Sequence, residues 1–594
     1  MKNQSTFVWL ALALLLAGFI WICDRHFATE DAAGGRLLPG LHPADITEIH
    51  ISPAGAKEFT VVRTNNAWRV QRPFVYPAQP TAVAALLAAL EKLPVATRIT
   101  AADLNGKKNA EDGFGFDAPQ AAIDLAAGEQ QWHFLIGNKT APGDQVFVRI
   151  VGAEGAYVTD AAWLQFLPSK VESWRDTSLA GAVEDCNWIV ITNGARVLEF
   201  RRNGTNQIWR MLQPLAARAD SARLAAALQS LATGQVTRFI TDDPKTDLTQ
   251  FGLDPAAMDV WIGQGTNVTA GVHAGKISAE DTNQIYVRRD RFNSVGLAPK
   301  DALAAWSGEV NDFRDPHLLE LNAAVTEIEV RGAETNFTLL YTGENGWRVA
   351  GEKFAADPEG ILSFAKLLAG WRASEFVKDV VTKTDLEKYG LANPAQQITF
   401  RFKTPETNHV VAQLLFGNVE ADRILVKRAD EDFIYALPLK DFKALPQAGW
   451  DFRARKLWNF SVTNVASITL RQSGQTRTLV PYGTNSWSLA AGSGTIDPHG
   501  VQTAVEELGT LEAAGWIARN FADPETLGFT TNNLQLTITL KSAEKFTLDF
   551  GAAEPHTQSA FAAVTLEGER WAFLFPPALY QVVLAYLTIP QADK

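Results

Sequence analysis

The stretch Asp45 to Ser52 alternates as a half-buried strand should, with Ile46, Ile49 and Ile51 apolar. Two further strands, Phe59 to Arg63 and Trp68 to Val70, flank Asn65-Asn66. Asparagine tolerates the positive φ of a tight turn, so the three segments predict a strand followed by a hairpin. Val83, Leu86, Leu87 and Leu90 then recur at i, i+3, i+4 and i+7 behind Pro80-Thr81, which predicts an amphipathic helix. A glycine turn at Phe114-Gly115-Phe116, with Pro119 beyond it, opens a second β-rich half. Its strands are Ala121 to Leu125, Gln131 to Ile136, Val146 to Ile150 and Ala156 to Thr159, and Ala162 to Leu167 is a short helix or turn.

The same succession returns three times. Trp68, Trp209, Trp347 and Trp487 follow the first turn at spacings of 141, 138 and 140 residues. The turn glycines Gly115, Gly252, Gly390 and Gly528 stand 137, 138 and 138 apart. Val148, Val287, Val426 and Val564 stand 139, 139 and 138 apart, and Arg175, Arg314 and Arg453 are each 139 apart. Solenoid repeats run about 20 to 50 residues, so this longer period is that of a domain. Later helices open on Asp220-Ser221, Asp357-Pro358 and Asp497-Pro498, where aspartate accepts from free helix N–H groups and proline suits the first turn. The expected fold class is α+β: four tandem repeats, each a β-hairpin and sheet with one main helix and a short second helix, behind one N-terminal transmembrane helix. The repeats are placed at residues 37–175, 176–314, 315–453 and 454–594.

The residues before them are read as a cytoplasmic stub (1–5), a membrane-spanning helix (6–23) and a linker (24–36). Thr6 to Cys23 carries no charge, and Trp9 and Trp21 stand near its ends, where amphipathic rings favour an interface. At about 1.5 Å per residue it reaches roughly 27 Å. A cleaved signal peptide needs small residues just after the apolar core, and Ile22-Cys23-Asp24-Arg25 does not supply them. The expected location is therefore the inner membrane, single-pass, with the N-terminus cytoplasmic and the bulk of the chain periplasmic. The apolar stretch from Pro577 to Leu587 is too short to span and is read as a packing helix.

Composition narrows the function classes. The 594 residues carry a net charge of −12 and no long basic run, which argues against a nucleic-acid partner. Two cysteines, Cys23 and Cys186, rule out a disulfide framework, and Cys186 falls on the apolar position held by Ile46, Val325 and Val465 in the other repeats. Phosphate-loop, His-Glu-x-x-His, Gly-x-Ser-x-Gly and Cys-x-x-Cys motifs are absent. No catalytic, cofactor-binding or metal-binding residue is therefore assigned. Asp242-Asp243 and Glu506-Glu507 read as solvated surface pairs.

What remains is at the repeat boundaries. Trp174-Arg175-Asp176, Phe313-Arg314-Asp315 and Phe452-Arg453-Ala454 each sit where one repeat hands over to the next. An aromatic beside Arg and Asp suits an ion pair or stacking contact between repeats, so Arg175, Asp176, Arg314, Asp315 and Arg453 are the candidate inter-repeat residues.

These Arg-Asp-x-x-Leu junctions (Arg175 to Leu179, Arg314 to Leu318), the Trp-Arg hairpins at Trp68, Trp209 and Trp347, the Gly-Leu-x-x-Pro turn at Gly390 and the short anchor together resemble the bacterial domain-of-unknown-function family numbered 4340. The last repeat departs from the pattern at Trp487-Ser488 and Ala454. The resemblance implies an extracytoplasmic accessory role beside ABC transporters of the type linked to gliding motility, with a transporter permease or envelope protein as partner. The expected function is a membrane-anchored, non-catalytic interaction or scaffold protein. The alternative is a ligand-binding protein or enzyme, its small-molecule ligand unknown, with a site between repeats.

Overall fold

In the computed structural model, residues 35–589 are described apart from 106–109, 182, 184, 203–207, 322–323, 344–345, 405, 493 and 555–558. Repeat 1 is one antiparallel sheet. Its strands are β1 (Glu48–Pro53), β2 (Phe59–Thr64), β3 (Ala67–Arg72), β4 (Tyr76–Pro77), β5 (Val95–Ile99), β6 (Ala121–Ala127), β7 (Gln130–Lys139), β8 (Gln145–Ile150) and β9 (Ala156–Asp160). They lie in the order β4-β3-β2-β1-β6-β7-β8-β9-β5. The first four strands meander to one edge, the helix Pro80–Lys92 follows, and β5 forms the opposite edge. The chain then returns to the middle, where β6 pairs with β1 in a register that sets Ile49 opposite Leu125 and Ile51 opposite Ile123. All four side chains are buried, so this non-local pairing joins the two β halves over one core.

The second sheet repeats the nine-strand order, and the third and fourth keep it with eight strands. The chain groups into two compact units, Met1–Asp315 and Pro316–Lys594, each holding two of the sheets. In each repeat the main helix lays an apolar stripe on the core: Val83, Leu86, Leu87 and Leu90 in the first, Ile361, Phe364 and Leu368 in the third. Asp220, Asp357 and Asp497 accept the expected cap bonds, from the backbone N–H of Arg223, of Glu359, and of His499 and Gly500. Gln79, at the same place in repeat 1, makes no side-chain cap. Asn65 and Asn66 take the expected left-handed φ; the equivalents Asn203-Gly204 and Asn345 lie outside the described residues. The C-terminal segment forms the packing helix Pro577–Tyr586, which buries Leu579 and Val583.

The turn glycines Gly115, Gly252, Gly390 and Gly528 have φ of +77°, +66°, +70° and +74°. Each turn folds against a strand that carries a second glycine. A Cβ on Gly137, Gly275, Gly417 or Gly551 would stand 2.1, 2.2, 2.2 and 2.4 Å from the carbonyl oxygen of Phe114, Phe251, Tyr389 and Leu527. Only a residue without a side chain lets that carbonyl come so close.

Two expectations are corrected. The fold is mostly β, with 43 % strand against 21 % helix, and not α+β behind a transmembrane helix. β1–β6 pairing joins the hairpin strands and the later strands in one sheet, and its equivalents do so in each repeat. Residues 1–5, 6–23 and 24–34, which held the stub, the spanning helix and most of the linker, lie outside the described residues. Among the described residues no helix is long and apolar enough to cross a membrane. The longest have 13 residues, about 20 Å against a hydrocarbon core of about 30 Å. On that finding the reading of a single-pass inner-membrane protein with a periplasmic body is withdrawn. Cys186 is buried, and burial pushes its thiol up.

Candidate functional site

The first junction begins as repeat 1 ends. A short 3-10 turn, Val171–Trp174, delivers Arg175 in extended conformation beside Ala78, at the sheet edge that β4 leads into. Gln79 N–H donates to Trp174 O (2.8 Å) and Asp176 N–H to Pro77 O (3.0 Å). The next residues change sheets: Val236 N–H donates to Thr177 O (2.7 Å) and Leu179 N–H to Gly234 O (3.0 Å). Five residues thus tie the edge of one sheet to the edge of the next. At the third junction Asp357 N–H donates to Phe452 O (2.7 Å), Ala454 N–H to Ala355 O (2.7 Å) and Leu457 N–H to Leu511 O (3.0 Å). At the second, Asp220 N–H donates to Phe313 O (2.8 Å) and Asp315 N–H to Arg218 O (3.0 Å).

Arg175 is 2 % exposed. Its guanidinium lies 3.3 Å from the Phe239 ring centre, 4.2 Å from that of Phe74 and 4.5 Å from that of Tyr76. Nη1 and Nη2 donate to the two carboxylate oxygens of Asp242 at 3.1 and 2.5 Å. Ser294 Oγ donates to the same carboxylate at 2.6 Å. A buried cation is tolerable here because it is paired and faced by π-systems from both repeats. Burial raises the Tyr76 phenol, against the opposing pull of Arg289 and Arg175. Asp176 turns from Arg175 to Ser178 and to Arg289 Nη1 (2.7 Å).

Arg453 repeats the arrangement with other partners. It lies 4.5, 5.1 and 5.2 Å from the rings of Trp571, Phe354 and Trp516, and Nη2 donates to Glu567 at 2.6 Å. Its neighbour Arg519 forks onto Glu569 (2.8 and 2.7 Å) and reaches Glu352 of repeat 3 at 2.7 Å. Hydrogen bonds donated to Glu569 and then Glu352 push the Arg519 guanidinium further up, and the bond from Arg519 helps hold the Glu569 carboxyl below its usual range. Arg314 is 2 % exposed with Nη1 on Asn311 (3.1 Å), and Asp315 takes an ion pair from Arg218.

The candidate residues therefore do not gather in one site. Arg175 and Asp176 share the first junction, Arg314 and Asp315 the second, and Arg453 stands at the third. Sequence reasoning missed Asp242, Glu567 and Arg519. Asp242, read as half of a solvated pair, is the counterion of a buried arginine. A signal was present: Phe239-Ile-Thr-Asp242 and Phe376-Val-Lys-Asp379 are the same pattern one period apart, and repeat 4 has Trp516-Ile-Ala-Arg519. Where arginine replaces aspartate on that strand, Glu567 takes over as the counterion.

Beside Arg175 opens a cavity of about 870 Å³, with Lys57, Lys170 and Glu172 from repeat 1 and Asp242 and Asp243 from repeat 2 along its lining. Asp242 is already engaged by Arg175 and by Ser294, which also lines the cavity. Among the described residues no group of three or more His, Cys, Asp or Glu could hold a metal ion.

No curated protein matches the chain. A family model, the domain of unknown function DUF4340, matches residues 68–206, 209–380 and 347–532. Its three matches begin at Trp68, Trp209 and Trp347, the hairpin tryptophans that mark the period. With most of its length matched in this repeating way, the chain belongs to the DUF4340 family.

Proposed function

We propose that this chain is a non-catalytic interaction protein whose sheet modules, stiffened at the first and third joints, present their surfaces to a partner complex. The observation that carries the reading is the pair of cation boxes at Arg175 and Arg453, built from different residues to the same end. A linker that only had to connect domains would not need a buried, stacked and paired arginine. The recurring residues are turn glycines, caps, core positions and joints, none of them chemically reactive. The partner class to test is the one the family resemblance suggests, an ABC transporter permease or an envelope component.

One observation bears on the second reading, a ligand site, although it lies within one repeat and repeat 1 has an Asp124–His133 pair on the equivalent strands. Asp259, His273 and Asp290 form a cluster of titratable groups in repeat 2. The same register places Ala122 and Leu135 in repeat 1, and Gln397 and Leu415 in repeat 3.

Affinity purification of the tagged full-length chain from a mild detergent extract, read by mass spectrometry, separates the readings. Stoichiometric recovery of transporter subunits is expected. A chain that elutes alone, with a small molecule retained in native mass spectrometry, overturns the proposal in favour of the second reading.

A further inference from the structure

On another side of the first junction is a small cavity of about 190 Å³, lined by Arg69 of repeat 1 and by Thr269, Arg289, Asp290 and Arg291 of repeat 2. Three arginines and one aspartate line it, in a chain whose net charge is −12. Arg289 is committed to Asp176 and the Ser178 carbonyl. Arg291 holds a left-handed backbone (φ +65°), a conformation strained for a non-glycine residue, and its Nε lies 3.3 Å from Asp290. Arg69 is exposed on its strand and makes no ion pair with a described residue. Like charges brought together repel unless a counter-ion joins them.

Asp290, the one carboxylate there, has a second neighbour on its far side. His273 is 8 % exposed, and its Nδ1 meets Asp259 Oδ1 at 2.6 Å. Its Nε2 has no hydrogen-bond partner among the described residues and lies 3.8 Å from Asp290 Oδ1. Thr192 Oγ1 donates to Asp259 at 2.9 Å and Arg288 pairs with His273 in the strand register, so the histidine is walled by two carboxylates and a cation.

We propose that this cavity binds a compact oxyanion, a phosphate or a carboxylate, in the fork of Arg69 and Arg291. The planar guanidinium matches either group with two parallel hydrogen bonds. Because Arg69 belongs to repeat 1 and the other arginines to repeat 2, the bound anion bridges the two repeats. It adds a ligand-dependent tie to the permanent one at Arg175.

Isothermal titration calorimetry of the full chain, with inorganic phosphate and separately with acetate at constant ionic strength, tests the site. Saturable one-to-one binding of at least one anion is expected. Arg69→Gln and Arg291→Gln should each weaken it tenfold or more, while Lys57→Gln, in the larger cavity, leaves it unchanged. Phosphate alone identifies a phosphoryl ligand; acetate alone identifies a carboxylate such as an acidic side chain. No saturable binding of either anion, or equal binding by Arg69→Gln, overturns the proposal. Arg69 takes no part in the Arg175 box, so that failure leaves the interaction reading standing.

Discussion

Arg175→Ala removes the cation from the first junction and leaves its partners in place. Two charge-assisted hydrogen bonds to Asp242 are lost, each worth roughly 1.5–3 kcal/mol net. So is stacking on three rings, at about 0.5–2 kcal/mol for each cation–π contact. Breaking a fully buried pair costs about 3–5 kcal/mol, but Asp242 is 29 % exposed and keeps Ser294, so the lower end applies. A loss of about 3 kcal/mol corresponds to roughly a hundredfold in an opening equilibrium. Native-state hydrogen exchange reads it locally, at Asp176 N–H bonded to Pro77 and at Val236 N–H bonded to Thr177. Both amides should lose about a hundredfold of protection, while that of Leu457 N–H, at the third junction, stays unchanged. Asp242→Ala should show a smaller loss, and the double variant should fall short of the sum by about 2 kcal/mol, since the two groups act on each other. Strict additivity, or unchanged protection in Arg175→Ala, refutes the claim that this pair holds the joint.

Gly417→Ala places a Cβ 2.2 Å from the Tyr389 backbone oxygen and should destabilise by about 3 kcal/mol, whereas Gly343→Ala, with open space and φ +71°, should cost only about 1 kcal/mol; thermal unfolding of both variants checks the ranking. Burial would raise the Glu329 carboxyl, but hydrogen bonds and charge from Arg401 and Arg331 outweigh it and hold it below its usual range. Its folded pKa thus lies below the unfolded value of about 4.3, so its stabilisation is complete above that value and lost as pH falls through the folded one. Glu329→Gln should flatten the fall of the urea midpoint between about pH 5 and pH 3 relative to wild type, and parallel curves count against the assignment. Cys186, buried and with its thiol pushed up, should react with a thiol reagent only as the protein unfolds; fast labelling of native protein at Cys186 contradicts that burial.

Much of the fold is legible in the sequence because the period is written in residues whose jobs are local. Asn65-Asn66, Gly390 and Asp357 each act within a turn or a helix end, so type and position suffice to read them. The β1–β6 pairing is different. Ile49 and Leu125 are 76 positions apart, and alternation alone gives each strand a face without a neighbour. Alternation therefore leaves each repeat as two β halves around a helix, which reads as α+β. The second glycine of each turn was missed for a related reason. Gly137, Gly275, Gly417 and Gly551 stand 138, 142 and 134 apart, because loop lengths between turn and strand vary, so a search for one fixed period passes over them. At the junctions the arginines were visible and their counterions were not. Asp242 lies 67 residues after Arg175, on a strand of the next repeat, and Glu567 lies 114 after Arg453. An adjacent aspartate was the nearer guess, but successive residues of an extended chain point apart, and Asp176 accordingly serves Arg289.

The central claim is that a buried arginine fixes how repeat 1 meets repeat 2. Double electron–electron resonance between spin labels on exposed hairpin tips, Glu129→Cys and Thr266→Cys, measures this directly in a background of Cys23→Ser and Cys186→Ala. The account predicts one narrow distance distribution that broadens when Arg175→Ala is added. A distribution already broad with Arg175 in place, or one left narrow without it, contradicts the account.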